Sequence, residues 1–223
     1  MTGPTLSPEE LRVLGCLAEK EKATPQNYPL TLNALRLACN QATGRDPVVD
    51  YDERVVESAV STLKDKGFLR FVYSTSNRAT KYRHILNEYF GLDDAELAVL
   101  TVLILRGPQT AGEIKGRTER LYTFADLGSV EAVLDRLAGR DEPLVLRLSR
   151  QPGQKEARFA HLLGRDEHEV LAGLPAAGID MTITEERTAT IDRIESLEAE
   201  VASLRHQVEE IRRDLDTFRA EFG

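Results

Sequence analysis

Apolar residues recur three and four apart over three short segments, and a stretch of alternation follows them. In LSPEELRVLGCLAEK the stripe is Leu11, Leu14 and Leu17 with Val13 beside it. Ser7 and Glu10 have capping-box spacing, and Pro8 stands where a first helical turn accepts it. Pro25 and Pro29 bracket a loop, after which LTLNALRLACNQ predicts a second helix with Leu32, Leu35 and Ala38 inward. A polar connection holding Gly44 and Pro47 leads to VVESAVSTLKDKG, a third helix whose inward side is Val56, Ala59, Val60 and Leu63. LRFVY and KYRH then read as the strands of a hairpin, with STSNRAT as its polar tip. Three helices and a hairpin make the order of a winged helix, whose last helix enters a DNA groove while the hairpin grips the backbone.

The order then repeats. LSPEELRVLGCLAEK aligns with LDDAELAVLTVLILR, pairing Leu6 with Leu92, Glu10 with Glu96 and Leu14 with Leu100. VESAVSTL aligns with VEAVLDRL, and KYRHIL with RFAHLL, which sets Lys81 on Arg158, Tyr82 on Phe159 and His84 on His161. Three matches in one order imply a duplication, and the shrinking offset implies a shorter middle in the second copy. There, Thr110 and Glu113 predict a capping box after the Gly107-Pro108 break, and Ser129 is the expected cap of the third helix. LVLRLSR, QPGQKE and ARFAHLL supply strand, tip and strand. The expected core is the helix stripes with Phe71, Tyr73, Tyr82, Leu146, Leu148 and Phe159.

From Gly164 the pattern lapses into Gly, Ala and acid, and then changes period. Ile194, Leu197, Val201, Leu204, Val208, Ile211, Leu215, Phe218 and Phe222 alternate three and four apart, a heptad seam. A parallel pair would face Arg193 with Glu198, Glu200 with Arg205 and Asp214 with Arg219, so the expectation is a parallel homodimer; the alternative is a helix folded back on its own chain. The predicted class is therefore mainly α with small β-hairpin wings (α+β). Residues 1–90 form a first winged-helix domain, 91–163 a second, 164–184 a linker and 185–223 a coiled-coil helix.

Charge refines this picture. The 223 residues carry a net charge of −8, but residues 1–90 hold twelve Lys or Arg against eleven Asp or Glu, whereas 185–223 hold six against eleven. The acidity sits towards the C-terminus, which argues against a polyanion-binding tail and leaves the first copy free to meet phosphates through local patches. The longest nearly apolar run, Leu97 to Leu105, is far shorter than a membrane span, and the first residues show no secretory pattern, so a cytoplasmic location is expected. Cys16 and Cys39 lie too far apart for a CxxC motif and read as small buried hydrophobes.

The chemistry-bearing residues gather in the first copy. Opposite the buried stripe of the third helix stand Arg54, Ser58, Ser61 and Asp65; an arginine there can fork onto guanine, and the serines can reach a base or a phosphate. Arg70, Asn77, Arg78, Lys81 and Arg83 make a basic hairpin with no acid between Arg70 and Arg83. It reads either as a phosphate-binding wing or as a solvated edge hairpin. Asn33, Arg36, Asn40, Gln41 and Arg45 form a further polar group, suited to a duplex or subunit contact or to holding the loop that follows. The second copy is poorer, with Ala132, Asp135 and Gly139 outward on its third helix. No nucleophile, metal or nucleotide-loop motif is legible, so neither catalysis nor a cofactor is expected. Two functions fit: a dimeric DNA-binding transcriptional regulator, or an adaptor that binds other proteins and no nucleic acid.

The segments TPQNYPLTLNALRLACNQATGRDPVV, NRATKYRH and LRGPQTAGEIKGRTERLY resemble the YceH-like family of bacterial proteins, a group of unknown function. The resemblance spans about residues 6–163 and also takes in the coil-forming tail. It implies a tandem winged-helix fold and brings no activity, cofactor or catalytic residue.

Overall fold

The computed structural model describes residues 6–74, 77–150 and 154–163, with only the backbone of Ser74, Asn77 and Arg78. The expected linker and the heptad seam from Ile194 to Phe222 lie outside the described residues.

Helix α1 (Pro8–Ala23) starts where the sequence places it. Ser7 Oγ accepts from the Glu10 N–H, the Glu10 carboxylate accepts from the Ser7 N–H at 2.6 Å, and Pro8 occupies the first turn. A two-residue strand β1 (Leu30–Thr31) follows, and Thr31 then caps α2 (Leu32–Cys39). Asp52 caps α3 (Glu53–Asp65), which buries Val56, Ala59, Val60 and Leu63 as its spacing predicts. Strands β2 (Leu69–Ser74) and β3 (Asn77–His84) pair antiparallel, and β1 adds to the far side of β3, giving the order β1-β3-β2. A five-residue helix α4 (Leu86–Phe90) ends at Gly91, whose φ of 62° is a left-handed cap.

The series recurs as α5 (Asp94–Arg106), β4 (Gln109–Thr110), α6 (Ala111–Thr118), α7 (Leu127–Ala138), β5 (Val145–Arg147) and β6 (Arg158–His161), with sheet order β4-β6-β5. The described residues therefore form a mixed α+β structure of seven α-helices and two three-stranded antiparallel sheets. Asp93 and Glu96 repeat the capping box of Ser7 and Glu10. At α7 the cap is Asp126, with Ser129 three residues inside the helix, so Ser129 is the reciprocal partner of the cap rather than the cap itself.

The N3 glutamates do more than close a turn. Glu10 lies beneath the end of α3, where Lys66 Nζ donates to both its oxygens at 2.8 and 2.7 Å. Glu96 meets Arg140 Nη2 at 3.5 Å and Arg136 Nε at 3.3 Å at the end of α7. Each copy thus ties the start of its first helix to the end of its third with a buried carboxylate.

Both first helices are buried nearly all round: Glu10 to Ala18 in α1, and Ala95 to Leu105 in α5. Each turns one side to its own copy and the other to its counterpart. The contact is close at Gly15, where a Cβ would stand 2.8 Å from Ile104 Cγ2 and 2.9 Å from Leu105 Cδ2. The Asp46 N–H donating to the Leu105 carbonyl at 2.9 Å and the Lys22–Asp94 ion pair at 2.7 Å join the copies beside it. One continuous apolar core runs through both. Cys16 and Cys39 are free, fully buried thiols within it.

Three expected core residues sit elsewhere. Tyr73 is 74% exposed because it lies where the β2–β3 register slips between Val72 and Ser74, and its ring meets Phe71 edge-on at 6.4 Å. In β5 the main core receives Val145; Leu146 and Leu148 pack with Ala160 and Leu162 in a small separate cluster.

Replacing Gly15 by Ala should gain about 1 kcal/mol of helix propensity but lose roughly 1–3 kcal/mol to crowding against a filled core. A net loss is expected on urea unfolding, larger for Gly15→Leu; a stabilised Gly15→Leu would refute the close packing. Burial pushes the Glu10 carboxyl up, yet the Lys66 ammonium and the Ser7 N–H outweigh it and hold it below the ordinary glutamate value. A depressed folded pKa stabilises above the unfolded value of about 4.3 and loses its effect as pH falls through the folded one. Glu10→Gln should therefore cost about 1–3 kcal/mol at pH 7, with the gap to the parent closing below pH 4 in parallel acid-unfolding curves.

Candidate nucleic-acid interface

The outward row of α3 is set by the same spacing that buries its other side. Arg54, Ser58, Ser61 and Asp65 are all exposed, as expected. Beside the row, Lys64 Nζ lies 4.5 Å from the centre of the Phe71 ring, a cation–π contact between α3 and the hairpin.

The hairpin register decides what the basic run presents. Leu69 pairs with His84 and Phe71 with Tyr82 on the inner face; Arg70 pairs with Arg83 and Val72 with Lys81 on the outer. Two guanidiniums directly across a ladder repel each other. Glu88, on α4, resolves the repulsion: its Oε1 meets Arg83 Nη2 at 2.6 Å and its Oε2 meets Arg70 Nη2 at 3.3 Å. No acid lies between Arg70 and Arg83, as the sequence reads, but this carboxylate reaches the pair from outside that span. The side chains of Asn77 and Arg78, at the tip, lie outside the described residues. The Lys81 ammonium forms no ion pair with a described residue and lines a shallow depression with Lys20, Thr31, Leu37 and Gln41.

The polar group around α2 holds the following loop. Asn40 donates to the Tyr51 carbonyl at 2.8 Å and accepts from the Tyr51 N–H at 2.9 Å. Arg12 donates to the carbonyls of Cys39 and Pro47. The Arg45 side chain is fully buried and forks onto Glu19 at 3.0 and 2.7 Å, with further bonds to the carbonyls of Ala38 and Gly44 and to Gln41 Oε1. Burial alone would raise the Glu19 carboxyl; the Arg45 fork more than offsets it and leaves the group below its ordinary value. Asn40 and Arg45 are thus engaged internally, while Asn33 stays exposed and accepts from Arg36 at 3.2 Å.

His84 anchors the inner end of the hairpin. Its ring is fully buried; Nδ1 accepts from the Leu86 N–H at 3.2 Å, so Nε2 carries the proton and donates to Glu21 at 3.1 Å. The Tyr28 hydroxyl accepts from the His84 N–H at 2.9 Å, and burial raises the Tyr28 phenol far above its ordinary value. These three residues form a latch between α1, the loop before β1 and β3. Among the described residues no three His, Cys, Asp or Glu side chains converge as metal ligands would, and no helix is long and apolar enough to cross a membrane.

Around its third helix and hairpin the second copy offers less to a duplex backbone. Ala132 and Asp135 face outward on α7, Arg136 is held by Asp93 and Glu96, and Arg158 by Glu113 at 2.9 Å. Arg147 stands 5.9 Å from the Phe159 ring.

Against known proteins, a family model described as "Protein of unknown function, DUF480" matches residues 6–154. A UPF0502 protein of Pelobacter propionicus is 50% identical over 218 residues, covering 97% of this chain and 98% of that one. A UPF0502 protein of Geobacter sulfurreducens is 49% identical over 220 residues, with 97% and 98% covered. The UPF0502 protein YceH of Salmonella arizonae is 39% identical over 212 residues, with 92% and 95% covered.

Proposed function

The chain belongs to the DUF480 family of bacterial proteins of unknown function, and within it we propose a dimeric, cytoplasmic DNA-binding regulator of tandem winged-helix build. The first copy is the reader. Its α3 enters a groove with Arg54, Ser58 and Ser61, and the β2–β3 hairpin rests on the backbone. The observation that carries this is the placement of an uncovered polar row on α3 beside a hairpin whose outer face holds Arg70, Lys81 and Arg83. The element order and the β1-β3-β2 sheet suit a winged helix, in which the helix before the hairpin is the one left free. Pairing of two subunits is assigned to the heptad seam from Ile194 to Phe218 on the strength of its sequence alone.

We read the protein as a binder rather than an enzyme. Among the described residues, the constellation of His84 with Glu21 and Tyr28 has its imidazole fully buried and both ring nitrogens engaged, so no reactant reaches it.

A second reading, an adaptor that recruits another protein, draws on the second copy. There Tyr122 and Leu127 are exposed at the entry to α7, whose outward face carries few cations.

Fluorescence anisotropy with mixed duplex fragments at low salt tests the first reading. Binding should weaken steeply with salt, and Arg78→Ala or Lys81→Ala should flatten the log–log slope by about one unit per lost phosphate contact, whereas Arg54→Ala should cost about 1–3 kcal/mol and relax sequence preference. Glu88→Gln frees Arg70 and Arg83 and should tighten binding by roughly two- to fivefold, the scale of one exposed ion pair. No binding to any fragment at low salt would remove the duplex reading and leave the adaptor.

A further inference from the structure

Away from the hairpin, four guanidiniums surround one cavity. Arg45 from the first copy and Arg106, Arg117 and Arg158 from the second line a space of about 580 Å³, together with the carboxylates of Asp46 and Glu113. Their states differ. Arg45 is saturated by Glu19, Gln41 and carbonyls. Arg158 is held by Glu113 and by the Pro108 carbonyl, each at 2.9 Å. Arg117 has a single 3.7 Å contact, to the same Glu113. The Arg106 guanidinium makes no hydrogen bond or ion pair with any described residue, although the side chain is half-buried. Burial, with the Arg117 and Arg45 charges behind it, pulls its pKa below the ordinary arginine value.

A cation at the end of α5 suits the helix dipole, but the dipole does not require three more guanidiniums around the same space. Two neighbours mark the place as built. Gln109 is 5% exposed; its Nε2 donates to the Arg106 and Pro108 carbonyls at 3.0 and 2.9 Å, which fixes the amide and leaves the buried Oε1 without a donor among the described residues. Gly44, with φ of 75°, gives Arg106 its room: a Cβ there would stand 3.1 Å from Arg106 Nη2.

We propose that this cleft between the copies binds a small phosphate-bearing anion, received by Arg106 with Arg117 beside it. A guanidinium fork matches two phosphate oxygens, and an unpaired one held near like charges is stabilised by an anion that a solvated arginine would not need. The volume falls within the range of small-molecule sites and exceeds what one inorganic phosphate fills. A hydroxyl or N–H on the ligand would serve Gln109 Oε1. A second cavity of about 700 Å³ is also lined by Arg106 and Arg117 and adds Lys20 and Arg120 together with the carboxylates of Glu19 and Glu119, which leaves room for the uncharged remainder of a phosphate ester.

The test uses the full chain, thermal melts and calorimetry, with inorganic phosphate and adenosine monophosphate as probes and sodium chloride as the ionic-strength control. Either phosphate probe should raise the melting temperature saturably where chloride does not, and the tighter of the two says whether the ligand is a free or an esterified phosphate. Arg106→Gln should weaken binding about tenfold or more, the scale of one charge-assisted hydrogen bond, without lowering the melting temperature of the ligand-free protein. Arg117→Gln should weaken it less, and Arg54→Ala, in the duplex interface, should leave it unchanged. The assignment is overturned if phosphate does no more than chloride, if Arg106→Gln responds like the parent, or if Arg106→Gln melts lower without ligand and so proves a structural cation.

Discussion

The close approach of α1 and α5 governs the rest of the molecule. Neither helix is the surface helix of an independent unit, since each is buried around most of its circumference, over Glu10 to Ala18 in α1 and Ala95 to Leu105 in α5, and packs its second side against the other. Gly15 permits the approach by contributing no atoms where Ile104 and Leu105 arrive. The result is one core with two sets of strands and third helices hung from it, and hence a fixed position of α3 relative to the second copy.

The plan repeats in element order and sheet order, and the asymmetry lies in what does not repeat. The caps, the sheet order and the N3 glutamate clamp recur in both copies, with Lys66 and Arg140 as matched partners. What differs is the stretch between second and third helices. In the first copy it runs from Asn40 to Asp52 and is pinned by Arg12, Asn40 and Arg45; in the second it is shorter. The longer segment brings Arg45 and Asp46 against the end of α5, so the cleft depends on a part of the plan that does not repeat.

Local rules made much of this legible. Ser7 with Glu10, Thr110 with Glu113 and the α3 stripe could be read because caps and helical periodicity act within a few residues. The two-residue strands β1 and β4 could not: a pair such as Leu30 and Thr31 has no period, and its partners Tyr82 and Lys81 lie some fifty residues on. Glu88 was invisible as a partner for Arg70 and Arg83 because its effect depends on α4 folding back beside the hairpin. Arg106 carries only the local signature of a basic residue in a last helical turn. Only the tertiary approach of the Gly44–Asp46 loop and of β6 encloses it, and no spacing rule encodes that.

The C-terminal half of α1 links these regions. Glu19 holds Arg45 and with it the loop at the cleft, while Glu21, one turn-face away, holds His84 and with it the base of the hairpin. Both carboxylates sit on a helix whose other side is wedged against α5, and α5 ends at Arg106. A change in the charge balance at Arg106 therefore acts on the end of the element that α1 leans on. Two short, charge-assisted contacts of α1 lead from there to the loop before α3 and to the strand carrying Lys81 and Arg83. Packed side chains transmit such displacements because a filled core does not absorb them. The proposed anion cleft and the outer face of the first copy thus share one element, α1, through contacts that are each individually measurable.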